Sequence, residues 1–355
     1  MSRTLIVPAA GRSTRYGLSR PKFLLQHPTG VTMLSAGLAG LDGTGITRLV
    51  VVSLAEYFDG PRGVTAKHLT AEVERVTGVP TTVHLLDEPT TDPVETVIHG
   101  IGELAEDGPI VLKDTDNLVG LPDGWEQTTP GNFVTFADLA KFPEVTAANK
   151  SFLRVGMLGT VADIAEKQVI SAHFNVGLVG FEAASLVVLA RERLQGGREA
   201  YVSDVVGELI RLGYEFRGVE AGAYADWGTL ADWRAYCATY ATVLCDLDGV
   251  LCRNEHPLSE TGWTRFDPIT ENIQALLERH QPSRTRFVFV TSRTEDYRPY
   301  VHDALVAAGF EQFDLVMSLP HARRILVNDF AGSAPYPTAV AINLPRNAPS
   351  LREYL

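Results

Sequence analysis

The chain has 355 residues, long enough for two domains, with 45% hydrophobic and 21% charged residues, the balance of a folded globular protein rather than a disordered one. Its 31 basic residues against 43 acidic ones give a formal net charge of −12, which excludes a broad electropositive surface for nucleic acid or an anionic membrane. Any phosphate it binds is therefore met by local lysines, arginines and backbone amides.

In chain order, the first apolar stretch, residues 5–10, is too short for a signal sequence or a membrane span, so a cytoplasmic location is expected. Short apolar runs at residues 5–8, 49–53, 82–86, 110–113 and 133–136 predict buried strands, and residues 94–105 between them predict a helix. Such alternation is the pattern of a mainly parallel sheet covered by helices. It restarts near residue 241 with a strand at 242–245, a helix at 271–279 and a strand at 286–290, which predicts domains at residues 1–240 and 241–355. Cys237, Cys245 and Cys252 are few and odd in number, which fits a reducing compartment, and with His256 they make no zinc spacing, so buried thiols are expected.

The first strand feeds Pro8-Ala9-Ala10-Gly11-Arg12-Ser13-Thr14-Arg15, followed by Pro21-Lys22. Small residues after a strand let amide N–H groups approach a polyphosphate, and Arg15 and Lys22 add full charges. The loop is neither a Walker loop nor a dinucleotide fingerprint. The strand at 110–113 ends in Asp114-Thr115-Asp116-Asn117, which puts carboxylates at the carboxyl edge of a sheet, and a further carboxylate stands in Asp226-Trp227-Gly228-Thr229. Two carboxylates from separate segments plus substrate phosphates suit the way magnesium is bound, with few protein ligands and retained water.

These motifs, with Glu166-Lys167-Gln168, Asn175-Val176-Gly177 and Glu199-Ala200-Tyr201 in order between them, resemble the sugar-phosphate nucleotidyltransferases of the GT-A-like, Rossmann-related type, especially those of capsule and surface-polysaccharide pathways. The resemblance covers most of residues 1–235. It implies that Ala10, Gly11, Ser13 and Thr14 line the nucleotide phosphates, that Arg15 faces the departing pyrophosphate and that Lys22 contacts the α-phosphate. Asp116 and Asp226 would hold Mg2+, Lys167 the acceptor's phosphate, and Asn175, Gly177 and Glu199 the rest of the acceptor. Glu95 lies in the region that reads the base, though the residues there do not decode into one nucleotide.

In the second half, Asp246-Leu247-Asp248 ends an apolar strand, Thr291-Ser292-Arg293 ends another, and Arg323-Arg324-Ile325-Leu326-Val327 leads to Asn328-Asp329. These resemble the motifs of haloacid dehalogenase-like (HAD-like) phosphatases over residues 242–345. By that resemblance Asp246 is the nucleophile, Asp248 the acid/base and a metal ligand with Asp246 and Asp329, Thr291 a hydrogen-bond donor to the phosphate, and Arg323 or Arg324 the cation. Arginine stands where lysine is more usual, and one carboxylate where many members have two, so a silent version of this domain stays open. No room remains between the first two motifs for a substantial cap.

The expected fold is thus two Rossmann-like three-layer α/β domains, the first with a mixed, mostly parallel sheet and the second smaller and capless. The expected function is a bifunctional enzyme that takes an NTP and a phosphorylated sugar or polyol, with no nucleic-acid or membrane partner and with a homo-oligomer left open. A GT-A glycosyltransferase with an inactive second domain is the alternative, because Asp114-Thr115-Asp116 also fits a metal-binding Asp-x-Asp motif.

Overall fold

The computed structural model describes residues 2–11, 21–41, 45–58, 64–122, 124–125, 131–143, 145–194, 199–254, 263–279, 284–329 and 339–355. The chain divides into two compact units, Met1–Cys237 and Ala238–Leu355.

The first unit is built on a mixed sheet. Strands β1 (Arg3–Ala9), β2 (Ile46–Leu54), β3 (Thr81–Leu86) and β4 (Ile110–Lys113) are mutually parallel in the order β4-β1-β2-β3. Beyond β4 the sheet continues through antiparallel β9 (His173–Phe181) to β6 (Phe133–Asp138), which pairs in parallel with β10 (Arg217–Glu220). The five strands expected in this half are all present. They were legible because parallel strands buried on both faces read as unbroken apolar runs. Side chains alternate across the sheet: Ile6, Val50, Val52 and Leu112 join one core, whereas Leu5, Val7, Val51 and Val111 join the other. Helix α3 (Pro93–Gly102) covers the first of these faces and helices α1 (Met33–Leu38) and α2 (Ala66–Thr77) the second.

Two smaller pairings position the site. Strand β5 (Asn117–Gly120) leaves the sheet after β4 and pairs antiparallel with β11 (Ala223–Asp226), setting Asn117 opposite Asp226. Strands β7 (Ser151–Val155) and β8 (Val161–Glu166) form an antiparallel hairpin with Ser151 opposite Glu166.

The second unit has three parallel strands, β12 (Ala241–Asp246), β13 (Thr285–Val290) and β14 (Phe313–Val316), in that order. One face packs Cys245, Phe287 and Phe289 against helices Thr270–Arg279 and Arg298–Ala307. The other face carries Leu244 at 57% and Val316 at 40% exposure, so among the described residues the second helix layer of a three-layer domain is missing. Residues 323–327 form no strand. Ala322 N–H instead donates to Pro320 O at 2.8 Å, and Arg324 turns back onto Pro320 O and Ala322 O, closing a local turn that leaves Ile325, Leu326 and Val327 exposed. No helix in the described residues is long and apolar enough to cross a membrane.

Gly180 marks the tightest point of the first sheet, since a Cβ there would lie 2.0 Å from Phe133 Cε1. Strands β4 and β6 flank it on both sides, so the backbone cannot yield. Gly180→Ala is expected to destabilise the protein by about 1–3 kcal/mol, read as a lowered urea midpoint.

Candidate active site

The carboxyl ends of β1 and β4 open into a cleft of about 610 Å³, the edge of an open α/β sheet where ligands bind. Gly11 and Lys22 line it from the loop after β1, and Asp116, Gly177 and Asp226 line it from the opposite wall. Lys167, Asn175 and Glu199 complete its far side.

Asp116 and Asp226 are 110 positions apart in sequence and meet because β5 pairs with β11. Trp227 N–H donates to Asp116 O at 2.9 Å and closes the end of that ladder. A Cβ placed on Gly228 would be 3.1 Å from Asp226 Oδ1 and 3.8 Å from Asp116 Oδ2, so both carboxylates reach one spot.

Each carboxylate has its own ammonium. Lys22 Nζ pairs with Asp116 Oδ2, and Lys150 Nζ lies 2.8 Å from Asp226 Oδ2 while donating to the Tyr224 hydroxyl at 2.7 Å. Burial works against the charge on Asp116, yet the Lys22 ammonium beside it holds the carboxyl below its ordinary range. Asp114 moves the other way, raised by burial and then by the charge of Asp116. Lys113 is 1% exposed, and its ammonium donates to Asp114 O, Asn117 O and Asn117 Oδ1, which ties the turn between β4 and β5 around one charge. Burial pushes Lys113 down to about 8. Gly177 adopts φ +80°, and a Cβ there would meet Asp114 Oδ2 at 2.3 Å and Asn117 Nδ2 at 2.7 Å, so only glycine fits.

On the far side, Lys167 follows β8 in the left-handed region at φ +53°. Its ammonium donates to the Tyr201 hydroxyl at 2.7 Å, and that hydroxyl donates to Glu199. Glu166 accepts from Ser203 Oγ at 2.7 Å, and burial raises its carboxyl. Asn175 Oδ1 accepts the Gly177 N–H at 2.9 Å and so fixes the strand at the cleft wall.

Other expected residues fall elsewhere. Ala10 is buried in the core and Glu95 does not line the cleft. The Glu95 carboxylate accepts the Thr91 N–H and hydroxyl, while its own N–H is capped by Asp92 Oδ1 at 2.9 Å. Ser13, Thr14 and Arg15 lie outside the described residues. Lys150, Lys113 and Tyr201 were given no role from sequence. Lys150 belongs to no motif and becomes visible only once the β7–β8 hairpin sets it opposite Lys167.

Two carboxylates on one spot, with room for phosphate oxygens and water, fit the few-ligand binding of Mg2+, provided that the two lysines give way. No ready-made cage of three or more His, Cys, Asp or Glu exists among the described residues.

In the second unit, Asp246 ends β12, accepts the Leu247 N–H at 3.0 Å and is raised chiefly by burial, with Arg324 and His321 near enough to temper the rise. Asp248 accepts from Thr291 Oγ1 at 2.9 Å and from Arg293 Nη2 at 2.6 Å and Nε at 3.2 Å. Arg293 is 2% exposed and also donates to Trp263 O and Arg265 O. Arg323 and Asp329 lie in the exposed segment that forms no strand, so the expected metal set of Asp246, Asp248 and Asp329 is not gathered.

No family model and no curated protein matches the chain. Solved structures do. A nucleoside-diphosphate-sugar pyrophosphorylase from Vibrio cholerae RC9 is similar at 19% identity and a TM-score of 0.54 over 66% of this chain and 99% of that one. An inositol-1-phosphate CTP transferase from T. maritima is similar at 16% identity and 0.53, over 65% and 91%. A putative glucose-1-phosphate thymidylyltransferase from Bacillus anthracis is similar at 17% identity and 0.53, over 67% and 94%. The share matched is about that of Met1–Cys237, and the likeness shows that the chain shares the α/β fold of these proteins, with a mixed, mostly parallel sheet.

The buried Arg293–Asp248 pair yields a stability test. Arg293→Met strands a largely buried carboxylate and is expected to cost about 3–5 kcal/mol in denaturant unfolding, with part of the loss recovered by adding Asp248→Asn.

Proposed function

We propose that residues 1–240 transfer a nucleotidyl group from an NTP to a phosphorylated sugar or polyol and release pyrophosphate. The observation that carries this reading is the meeting of Asp116, Asp226 and Lys22 in the cleft that Lys167 also lines. The names of the structural neighbours agree with it: one is a CTP transferase acting with inositol 1-phosphate, and another, from Acinetobacter baumannii, was solved with UTP bound.

In this reaction an oxygen of the acceptor's phosphate attacks the α-phosphorus in line, and the bond to the bridging oxygen of the β-phosphate breaks. Negative charge builds on the α-phosphoryl oxygens and on the leaving pyrophosphate, so alignment and cations supply most of the catalysis. Lys22 serves the α-phosphoryl group. Gly11 leaves the backbone open where phosphates approach, since among the described residues, its chain neighbours aside, no atom lies within 4 Å of where its Cβ would be. By the family resemblance, Ser13 and Thr14 line the nucleotide phosphates and Arg15 faces the departing pyrophosphate. Lys167, set by Tyr201 and Glu199, holds the acceptor's phosphate, and Asn175 keeps Gly177 in place beneath it. Mg2+ held by Asp116 and Asp226 would neutralise phosphate charge and bring the two reactants together.

For residues 241–355 the proposal is a HAD-like phosphatase step in the same pathway, with Asp246 as nucleophile. Its support is the desolvated Asp246 at the carboxyl edge of a parallel sheet, beside an Asp248 oriented by Thr291 and Arg293. A buried arginine on both oxygens of Asp248 makes that residue a positioned partner of Asp246, and a proton role requires this clamp to loosen.

The test of transfer is pyrophosphate release across a panel of NTPs and sugar or polyol phosphates. Asp116→Asn and Asp226→Asn are each expected to lower kcat by roughly 10²-fold or more without loss of fold. Full turnover by either variant, or UDP or GDP release from nucleotide sugars with no pyrophosphate chemistry, overturns the reading, the latter in favour of a glycosyltransferase. For the second unit, Asp246→Asn is expected to abolish phosphate release from small phosphomonoesters, and release that persists in the purified variant refutes the assignment.

A further inference from the structure

Asp226 has no bare oxygen. Its Oδ1 accepts the Gly228 N–H at 3.0 Å, and its Oδ2 holds the Lys150 ammonium at 2.8 Å. The amide is fixed by the backbone of a tight turn, whereas the lysine sits at the end of four flexible carbons. A divalent ion that binds Asp226 at about 2.1 Å therefore has to displace Lys150, because two cations on one carboxylate oxygen repel each other at short range.

The backbone of Lys150 cannot follow its side chain. Lys150 O accepts the Lys167 N–H at 3.0 Å, one position beyond the Ser151–Glu166 pair of the β7–β8 hairpin. The two lysines are thus cross-strand neighbours, and both line the cleft. A phosphate monoester carries about −1.5 to −2 charges at neutral pH, more than the one ammonium of Lys167 neutralises.

We propose that Lys150 is an exchangeable cation: it holds Asp226 in the unliganded protein, a divalent ion displaces it, and it then joins Lys167 on the phosphate of the acceptor. This rests on the nucleotidyl-transfer reading for the acceptor alone; the displacement by metal does not depend on it. Lys150 is thereby an acceptor-binding residue that also keeps the site from charging with metal before substrate arrives. Tyr224 is the rest position of the side chain, with its hydroxyl accepting from Nζ and its ring 5.4 Å from the ammonium.

The experiment is a Mn2+ titration of the intact protein followed by EPR, with no substrate present. Lys150→Met and Lys150→Gln are each expected to bind Mn2+ roughly tenfold more tightly than the wild type, since no ammonium remains to be displaced. Asp226→Asn in the same background is expected to remove the gain. Unchanged or weaker Mn2+ binding in a folded Lys150 variant, or a gain that survives Asp226→Asn, overturns the proposal. In steady-state assays the same variants are expected to raise KM for the acceptor by roughly tenfold while KM for the NTP stays within about twofold, and an unmoved acceptor KM overturns the second half. Should both neutral variants unfold, NMR of the wild type carrying 13C-methylated lysines decides: the Lys150 resonance is expected to shift on adding Mg2+ alone, and an unmoved resonance refutes the exchange. A wild type that releases no pyrophosphate from any pair of substrates sinks the functional reading, and the Mn2+ arm still decides on Lys150.

Discussion

Two carboxylates that reach the same spot repel each other, and the site of the first unit depends on how that repulsion is balanced. Lys22 and Lys150 each pair with one of them, and Lys113 contributes a third positive charge from below. The opposite response of the two nearest aspartates follows from placement. Asp116 touches the Lys22 ammonium, which holds its carboxyl below the ordinary range, whereas Asp114 is raised by desolvation and by the charge of Asp116 next to it. A protein with a formal charge of −12 thus concentrates its cations where phosphate chemistry would need them.

The scaffold achieves this with short secondary pairings hung on a conventional sheet. Strands β1 and β4 deliver the loop at Gly11 and the turn at Asp114 to one edge, but they do not by themselves bring Asp226 near. That task falls to four ladder pairs between β5 and β11, closed by the Trp227 amide on Asp116 O. Behind them Trp227 is fully buried against Trp233, Tyr236 and His27, so the turn that carries Asp226 rests on a packed aromatic cluster. Placing the two carboxylates on rigid elements in this way keeps their geometry fixed, and the flexible lysine side chains are left to move.

What the amino-acid sequence disclosed follows from range. The central strands were legible because burial on both faces writes itself as an apolar run, and Asp116 and Asp226 were legible through motif order. The β5–β11 and β7–β8 pairings were not, because Asn117–Gly120 and Val161–Glu166 are short and are defined only by their partners. Lys150 depends on the second of those pairings and so was invisible. Glu95 stands in a helix start, Asp92-Pro93-Val94-Glu95, with the cap, the proline and the third-position glutamate in place, and that local signal accounts for the contacts it makes. Residues 323–327 include an apolar run but form no ladder, and the Arg324 guanidinium closes a turn there onto Pro320 O and Ala322 O.

Lys113 shows how far the turn between β4 and β5 depends on charge. Three oxygens converge on its ammonium, two of them backbone carbonyls. An apolar residue of equal length would fill the space but remove this donor from all three, a cost of about 1–3 kcal/mol for each buried acceptor left without a partner. Burial lowers the lysine to about 8, so near neutral pH the ammonium persists, helped by Asp114 and Asp116. The carboxylates therefore stabilise the charge that shapes their own loop, and the loop in turn sets them at the mouth of the cleft. A substitution that neutralised either aspartate would weaken Lys113 as well as the ligand site, which makes the turn and the chemistry proposed for it a single electrostatic unit.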